Sequence, residues 1–101
     1  MRVVIFPESG KWIAQILEWD IAAGGDTPYA AVSALQLALH AHVGSDAVLW
    51  REPLSRLKQA PAVYWDAYAN AQPLPMPMHF TKPPLAVEAA IFKHPIVAVP
   101  S

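Results

Sequence analysis

The spacing of apolar residues changes along the chain, and the first part shows the two-residue alternation that is typical of β-strands. "RVVIF" is rich in β-branched residues and stops at Pro7, which predicts a strand followed by a hairpin loop at Glu8-Ser9-Gly10. In "KWIAQIL", Trp12 and its alternate residues are apolar, and so are most of the residues between them. This second strand is therefore expected to be covered on both faces. Residues 18–20 turn the chain into a third strand, "IAAGGD", whose glycines indicate close approach to another backbone.

A helical period begins directly after these glycines. Thr27 is a good N-cap, and Pro28 suits the first helical position because it needs no amide hydrogen there. Polar residues such as Ser33, Gln36 and His40 fall on one side of the predicted helix. The apolar stripe on the other side comprises Val32, Leu35, Leu39 and Val43. We predict an amphipathic helix that packs on the sheet and ends at Gly44.

The second half of the chain has a weaker pattern. Residues 45–59 suggest a loop with one helical turn, and "PAVYWDAYANA" predicts a short second helix starting at Pro61. The proline-rich "QPLPMPMHFTKPP" predicts an extended connector. "LAVEAAIF" (85–92) is compatible with strand or helix, and the prolines before it favour a strand. We expect one domain over 1–101, with a core (1–44), a helical extension (45–73), a connector (74–84) and a strand-like tail (85–99).

Composition narrows the classes of function. Apolar residues make up 54% of the chain and charged residues only 15%, which favours association with a second copy or a partner. The net charge of −1 and the scarcity of basic residues, densest at Arg51, Arg56 and Lys58, disfavour direct binding of nucleic acid. There is no cysteine, no secretory leader pattern and no apolar run near the ~20 residues of a membrane span. We expect a cytoplasmic protein without membrane contact.

The polar residues do not predict an active site. Glu8, Glu18, Asp20 and Asp26 fall in a hairpin, a turn and a helix N-terminus, so we do not expect them to converge on metal ions. Asp26 is expected to complement the helix dipole. His40 and His42 are two residues apart on the predicted helix and project to different sides. We therefore predict no catalytic, cofactor or metal site, and no enzyme.

The aromatic residues are the candidates for binding. Trp and Tyr are enriched at protein interfaces, and their exposure here would mark a binding surface. Tyr64, Trp65 and Tyr68 share a face of the second helix, and they are expected either to pack that helix onto the domain or to contact a partner. Stacking on bases is disfavoured by the charge. The residues predicted to bind a partner are Trp12, Trp19, Trp50, Tyr64, Trp65 and Tyr68.

Several short motifs together resemble the N-terminal domain of HicB-like proteins. "VVIFPESGKWIAQILEWDIAAGGDTPYAAVSALQLAL" has that family's short first strand and its acidic, glycine-containing hairpin at Glu8-Ser9-Gly10. It also has the aromatic-led strand at Trp12-Ile13-Ala14 and a "GDT" segment, Gly25-Asp26-Thr27, before a helix. "REPLSRLKQAPAVYWDAYANAQPLP" is similar to a bacterial subset that couples this domain to an "APxxYW" segment. The resemblance covers residues 1–75.

The resemblance implies an α+β fold with a β-β-β-α-β order. It also implies a partial ribonuclease H-like antiparallel sheet with one main amphipathic helix, a short second helix and no catalytic centre. HicB antitoxins bind and block HicA, a small ribonuclease toxin, and usually add a C-terminal DNA-binding module. Here only about twenty residues follow the connector, and they are not basic. Operator binding is therefore not expected.

The predicted function is a non-enzymatic, antitoxin-like protein-interaction module. It would bind a HicA-like toxin or form a homodimer, using a sheet edge and the aromatic surface. The alternative is a nucleic-acid-associated module that acts with a basic partner. A metal-dependent nuclease is the third hypothesis.

Overall fold

The computed structural model describes residues 1–48, 58–74 and 88–96. Within them the chain forms five strands and two helices, which confirms the α+β class. The elements, in chain order, are β1 (Arg2–Glu8), β2 (Lys11–Ile16), β3 (Ala22–Gly25), α1 (Pro28–Val48), α2 (Ala62–Ala69), β4 (Gln72–Leu74) and β5 (Glu88–Ile91). Trp50 and the rest of 49–57, most of the predicted connector and both ends of the predicted tail lie outside the described residues.

The five strands form one sheet in the order β3-β2-β1-β5-β4. β1 pairs antiparallel with β2, and β2 pairs antiparallel with β3. β5 runs parallel to β1, with Val3 opposite Ala89 and Ile5 opposite Ile91. The expectation of a purely antiparallel sheet is therefore wrong, because the chain crosses over through the helices and β4 before β5 enters beside β1.

Two further boundaries differ from the sequence pattern. α1 continues through Gly44 to Val48, because a glycine inside a helix costs only about 1 kcal/mol and does not by itself end it. β4 forms at the start of the proline-rich segment, where the pattern does not predict a strand. Pro73 fits there because β4 is an edge strand, where one missing amide hydrogen is tolerated. The predicted tail strand is confirmed over Glu88–Ile91.

The predicted start of α1 is confirmed by its cap. The amide nitrogen of Ala30 donates to Thr27 Oγ1 at 3.0 Å, and the amide nitrogen of Ala31 donates to the Thr27 carbonyl at 3.0 Å. Pro28 occupies the first helical position as expected. The cap fixes where α1 leaves β3, and the buried stripe of Ala31, Val32, Leu35 and Leu39 then faces the sheet.

Each face of the sheet is covered by one helix. Alternate residues of β1 and β2, including Val3, Ile5 and Ile16, form one core cluster with α1. The intervening residues, including Val4 and Phe6, form a second cluster with α2. The apolar character of both faces of β2 is therefore explained within the chain, because α2 covers part of the face opposite α1.

Candidate protein-interaction site

α2 carries three aromatic side chains, which we call the aromatic surface: Tyr64, Trp65 and Tyr68. All three are partly buried and pack on the second core cluster. The rings of Tyr64 and Phe6 lie 5.7 Å apart between centroids, tilted by 37°. These residues therefore anchor α2 to the sheet and still present part of their surface to solvent.

Arg2 holds the aromatic surface to the turn after β2. Its guanidinium lies over the Trp65 ring, 5.4 Å from the centroid. Its Nη1 lies 3.4 Å from Glu18 Oε2, and its backbone nitrogen donates to Glu18 Oε1 at 2.8 Å. A cation over an indole ring contributes about 0.5–1 kcal/mol at exposed sites, so Arg2 both orients Trp65 and neutralises Glu18.

The electrostatic surroundings of Tyr64 are acidic. Burial raises the pKa of the Tyr64 hydroxyl, and the carboxylates of Glu8 and Asp20 raise the pKa further. Glu8 lies on this face because alternate residues of β1 point the same way, and Val4 and Phe6 belong to the α2 cluster. The last residue of β1 and the turn after β2 therefore both place negative charge within electrostatic range of Tyr64.

Negative charge also lies near Tyr68, one turn further along α2. Burial raises the pKa of the Tyr68 hydroxyl, and the Glu88 carboxylate raises it further. Arg2 opposes this rise and Glu18 adds to it. With Asp66, which is exposed on α2 itself, these carboxylates lie near the aromatic surface. We call this set the acidic rim: Glu8, Glu18, Asp20, Asp66 and Glu88.

A groove runs beside α2, between the helix and the residues that follow β5. Its volume is about 270 Å³, and its lining is mainly apolar, with Val63, Phe92 and Ile96 among the contributors. Asp66 and Asn70 add polar groups to it. A smaller cavity of about 160 Å³ is also lined by Asn70 and Phe92, together with Lys93 and His94. The groove therefore lies along α2 beside residues that neighbour the aromatic surface in sequence.

The structure divides the residues predicted to bind a partner. Tyr64, Trp65 and Tyr68 lie together on the α2 face. Trp12 and Trp19 instead pack on the core cluster beneath α1, on the opposite face of the sheet. The predicted residues therefore do not form one continuous surface, and Trp50 is outside the described residues.

The acidic rim and the groove are absent from the sequence prediction. Glu8 could have been assigned to this face from the alternation of β1. The position of Glu88 depends on the parallel pairing of β5, and the groove depends on how Phe92 follows it. No local pattern carries either of these signals.

The acidic residues nearest the sheet have separate partners. Asp26 accepts a bond from Lys11 Nζ at 2.8 Å, and this bond holds the pKa of the Asp26 carboxyl below its usual range. Asp20 accepts a hydrogen bond from Gln15 Nε2 at 3.0 Å.

Among the described residues, no group of three or more His, Cys, Asp or Glu side chains is placed to hold a metal ion. Within the same residues, neither helix has the length and apolar character needed to cross a membrane.

The fold and this surface together define an α+β domain with a five-stranded mixed sheet between two unequal helices. Comparison with protein-family models, curated proteins and solved structures finds no match to this chain. The resemblance to HicB-like proteins therefore stays a prediction. Inference about function rests on the geometry of the α2 face.

Proposed function

We propose that this chain is a non-enzymatic, HicB-like protein-interaction module that binds a small basic protein through its α2 face. The observation that carries the proposal is the acidic rim near the aromatic surface. The rim contains five of the eight acidic residues of the chain, and Arg2, whose guanidinium lies over the Trp65 ring, is already paired with Glu18. A basic partner is the charge complement of such a surface.

The shape of this face also suits a protein partner. Partly exposed tyrosine and tryptophan side chains are typical anchors of protein interfaces. The groove, at about 270 Å³, lies just below the ~300–1,000 Å³ typical of small-molecule sites, and it can take one or two apolar side chains of a partner. The same negative charge opposes direct contact with nucleic acid, so that alternative would require the basic partner itself.

The order of elements supports the antitoxin-like part of the proposal. Three antiparallel strands lead into α1, as the resemblance implies, and a later strand, β5, lies beside β1; α2 and β4 are additional to the implied β-β-β-α-β order. A HicA-like toxin acts on RNA, and a protein that binds RNA presents positive charge. The acidic rim would cover that surface. A cytoplasmic location and a homodimeric assembly are parts of the same proposal.

The test is to find the partner and then map its contact. The tagged protein is purified from its native host at low salt, and captured proteins are identified, expressed and titrated against it by calorimetry. We expect a small basic protein whose binding weakens steeply as salt rises. The product of any short basic reading frame beside the gene is the first candidate.

Two matched variants locate the contact. Asp66→Asn and Asp26→Asn each remove one exposed carboxylate, from the α2 face and from the α1 side respectively. We expect Asp66→Asn to weaken binding about three- to tenfold and Asp26→Asn to leave it unchanged. Equal effects of the two variants, or a captured protein that is acidic, would contradict the proposal.

A further inference from the structure

β3 is an open edge of the sheet. Among the described residues it pairs only with β2, and the amide nitrogen of Ile16 donates to the Ile21 carbonyl at 2.9 Å, which fixes the direction of alternate backbone groups. In the same register, Ala23 and Gly25 face β2, so Ala22 and Gly24 direct their N–H and C=O groups outwards. Both residues are exposed, and no hydrogen bond between described residues occupies these groups.

The two edges of the sheet differ in what they can accept. β3 contains no proline, no charged residue and no break in its register with β2. β4, at the other edge, has Pro73 at its centre, and this residue cannot donate to a neighbouring strand. Addition of β3 to β4 of another copy would therefore lack a bond. β3 against β3 is the pairing that the backbone favours, and it closes on itself as a dimer.

α1 lies beside this open edge. It packs mainly over β3 and then β2, and a Cβ added at Gly25 would lie 2.9 Å from the Ala30 Cβ, which places Ala30 on the β3 side of the helix. From Pro28 to Ser45 the sequence contains no Asp, Glu, Lys or Arg. Tyr29 is 58% exposed and Leu37 is 75% exposed. A surface helix normally directs charged residues to solvent, so this face is unusual for one that stays in water.

We infer that two copies of this chain form a two-fold symmetric dimer through β3, with α1 of one copy packed against α1 of the other. The inference rests on the self-association included in the proposed function and gives it a surface. Ala22 of one copy would lie opposite Gly24 of the other, and the outward groups of these residues would form four N–H···O bonds. The result is a continuous ten-stranded sheet.

The helices meet at a suitable distance in this arrangement. Neighbouring strands lie ~4.8 Å apart, so a helix placed between β2 and β3 lies about 5 Å from a two-fold axis at the β3 edge. The two α1 axes are then about 10 Å apart, at the upper end of the usual ~8–10 Å for packed helices. A two-fold axis perpendicular to the sheet makes them antiparallel. Ala30, Ala34 and Leu37 recur at i, i+4 and i+7 and therefore share one side of α1, with Leu37 towards solvent. The proposed contact uses this side.

The charge and size of the surface favour a second copy with modest affinity. An uncharged face creates no like-charge repulsion when it meets itself, whereas a charged partner would gain nothing from it. The 21 residues of α1 span about 31 Å and β3 adds an edge of four residues, so the contact is a narrow one. Stable interfaces bury about 800 Å² per partner, so we expect a micromolar dimer.

Analytical ultracentrifugation of the full chain between about 1 and 500 µM tests this inference. The mass is expected to rise from 11.0 kDa towards twice that value. Leu37→Lys introduces a charge on the α1 surface, and we expect it to raise the dissociation constant at least roughly tenfold. Ala69→Lys adds the same charge at an exposed position of α2, on the other face, and is expected to leave the constant unchanged.

Hydrogen exchange followed residue by residue provides a measurement that needs no variant. The Ala22 and Gly24 amides are expected to become protected as the concentration rises through the dimerisation range. A monomer at every concentration, or a dimer in which these amides exchange as fast as in the monomer, would overturn the inference. Loss of the dimer in Leu37→Lys with unchanged capture of a basic partner would separate this surface from that of the proposed function.

Discussion

Gly25 offers the sharpest test of how α1 is seated on the sheet. A Cβ built at this residue would lie 2.5 Å from the amide nitrogen of Ala31 and 2.6 Å from the carbonyl carbon of Ala30. Both atoms belong to the first turn of α1, which is fixed by the Thr27 cap. Gly25→Ala therefore requires either β3 or the start of α1 to move.

The magnitude follows from two opposing effects. Overpacking in a well-packed site costs about 1–3 kcal/mol, and the upper end applies here because the nearest atoms are backbone. Replacing glycine by alanine also restricts the unfolded chain, which returns about 0.4–1 kcal/mol. We expect a net loss of about 2 kcal/mol in the free energy of unfolding. For a domain of this size, that loss lowers the melting temperature by roughly 8–16 °C.

The adjacent glycine is the matched control. A Cβ at Gly24 would lie 3.3 Å from the Ile13 Cδ1, the free end of a flexible side chain, and 3.6 Å from the Trp12 carbonyl oxygen. A shift of a few tenths of an ångström by Ile13 is enough to accept the methyl group. Gly24→Ala is therefore expected to be neutral or to stabilise the fold by up to about 1 kcal/mol.

The two variants and the natural sequence are compared by urea denaturation and thermal melting, at a concentration low enough to keep the chain monomeric. Gly25→Ala is expected to unfold first by a clear margin. If it melts within a few degrees of Gly24→Ala, or if Gly24→Ala is the less stable of the two, the close approach of α1 to β3 is not as described.

Three other variants test separate contacts. Trp65→Ala is expected to lower the free energy of unfolding by about 1.5–3 kcal/mol, because the partly buried indole covers a core cluster and supports Arg2; an unchanged melting temperature and oligomer mass would contradict this. Thr27→Ala is expected to cost about 1 kcal/mol through loss of the α1 cap, whereas Thr27→Ser is expected to retain most of it. In Lys11→Gln, NMR titration is expected to show the pKa of Asp26 returning towards the usual range of an aspartate, because its hydrogen-bonded cation is gone. A lowered folded-state pKa stabilises only above the pKa of the unfolded carboxyl, so the stability difference between Lys11→Gln and the natural chain is expected to vanish as pH falls through the Asp26 titration.

The part of the fold that is predictable from the sequence is the part set by local chemistry. The hairpin turn at Ser9-Gly10, the end of β3 at Gly25 and the Thr27 cap each depend on a few neighbouring residues, although β1 continues through Pro7 to Glu8 before that turn. The continuation of α1 through Gly44 is different, because a glycine weakens a helix without ending it. The parallel pairing of β5 depends on a crossover of many residues, and no short window contains that information.

The candidate site shows the same division. The alternation that places Trp12 with Ala14 and Ile16 is confirmed, and all three belong to the α1-side cluster. Periodicity also groups Tyr64 with Trp65 and Tyr68, but it does not say which part of each ring stays exposed. The acidic rim comes from β1, the turn after β2, α2 and β5. Its assembly is a property of the tertiary structure alone.

The two proposed surfaces lie on opposite faces of the sheet, and this has a consequence for assembly. A two-fold axis perpendicular to the sheet would leave both α2 faces on the same side of the dimer, each unobstructed by the α1 contact. Two basic partners would then bind side by side in a 2:2 complex. Salt would act on the two contacts differently, since the partner surface is charged and the α1 face is not. A salt titration of the complex should therefore release the partners first and leave the dimer of this chain, whereas loss of the dimer before the partners would place the two contacts on one shared surface.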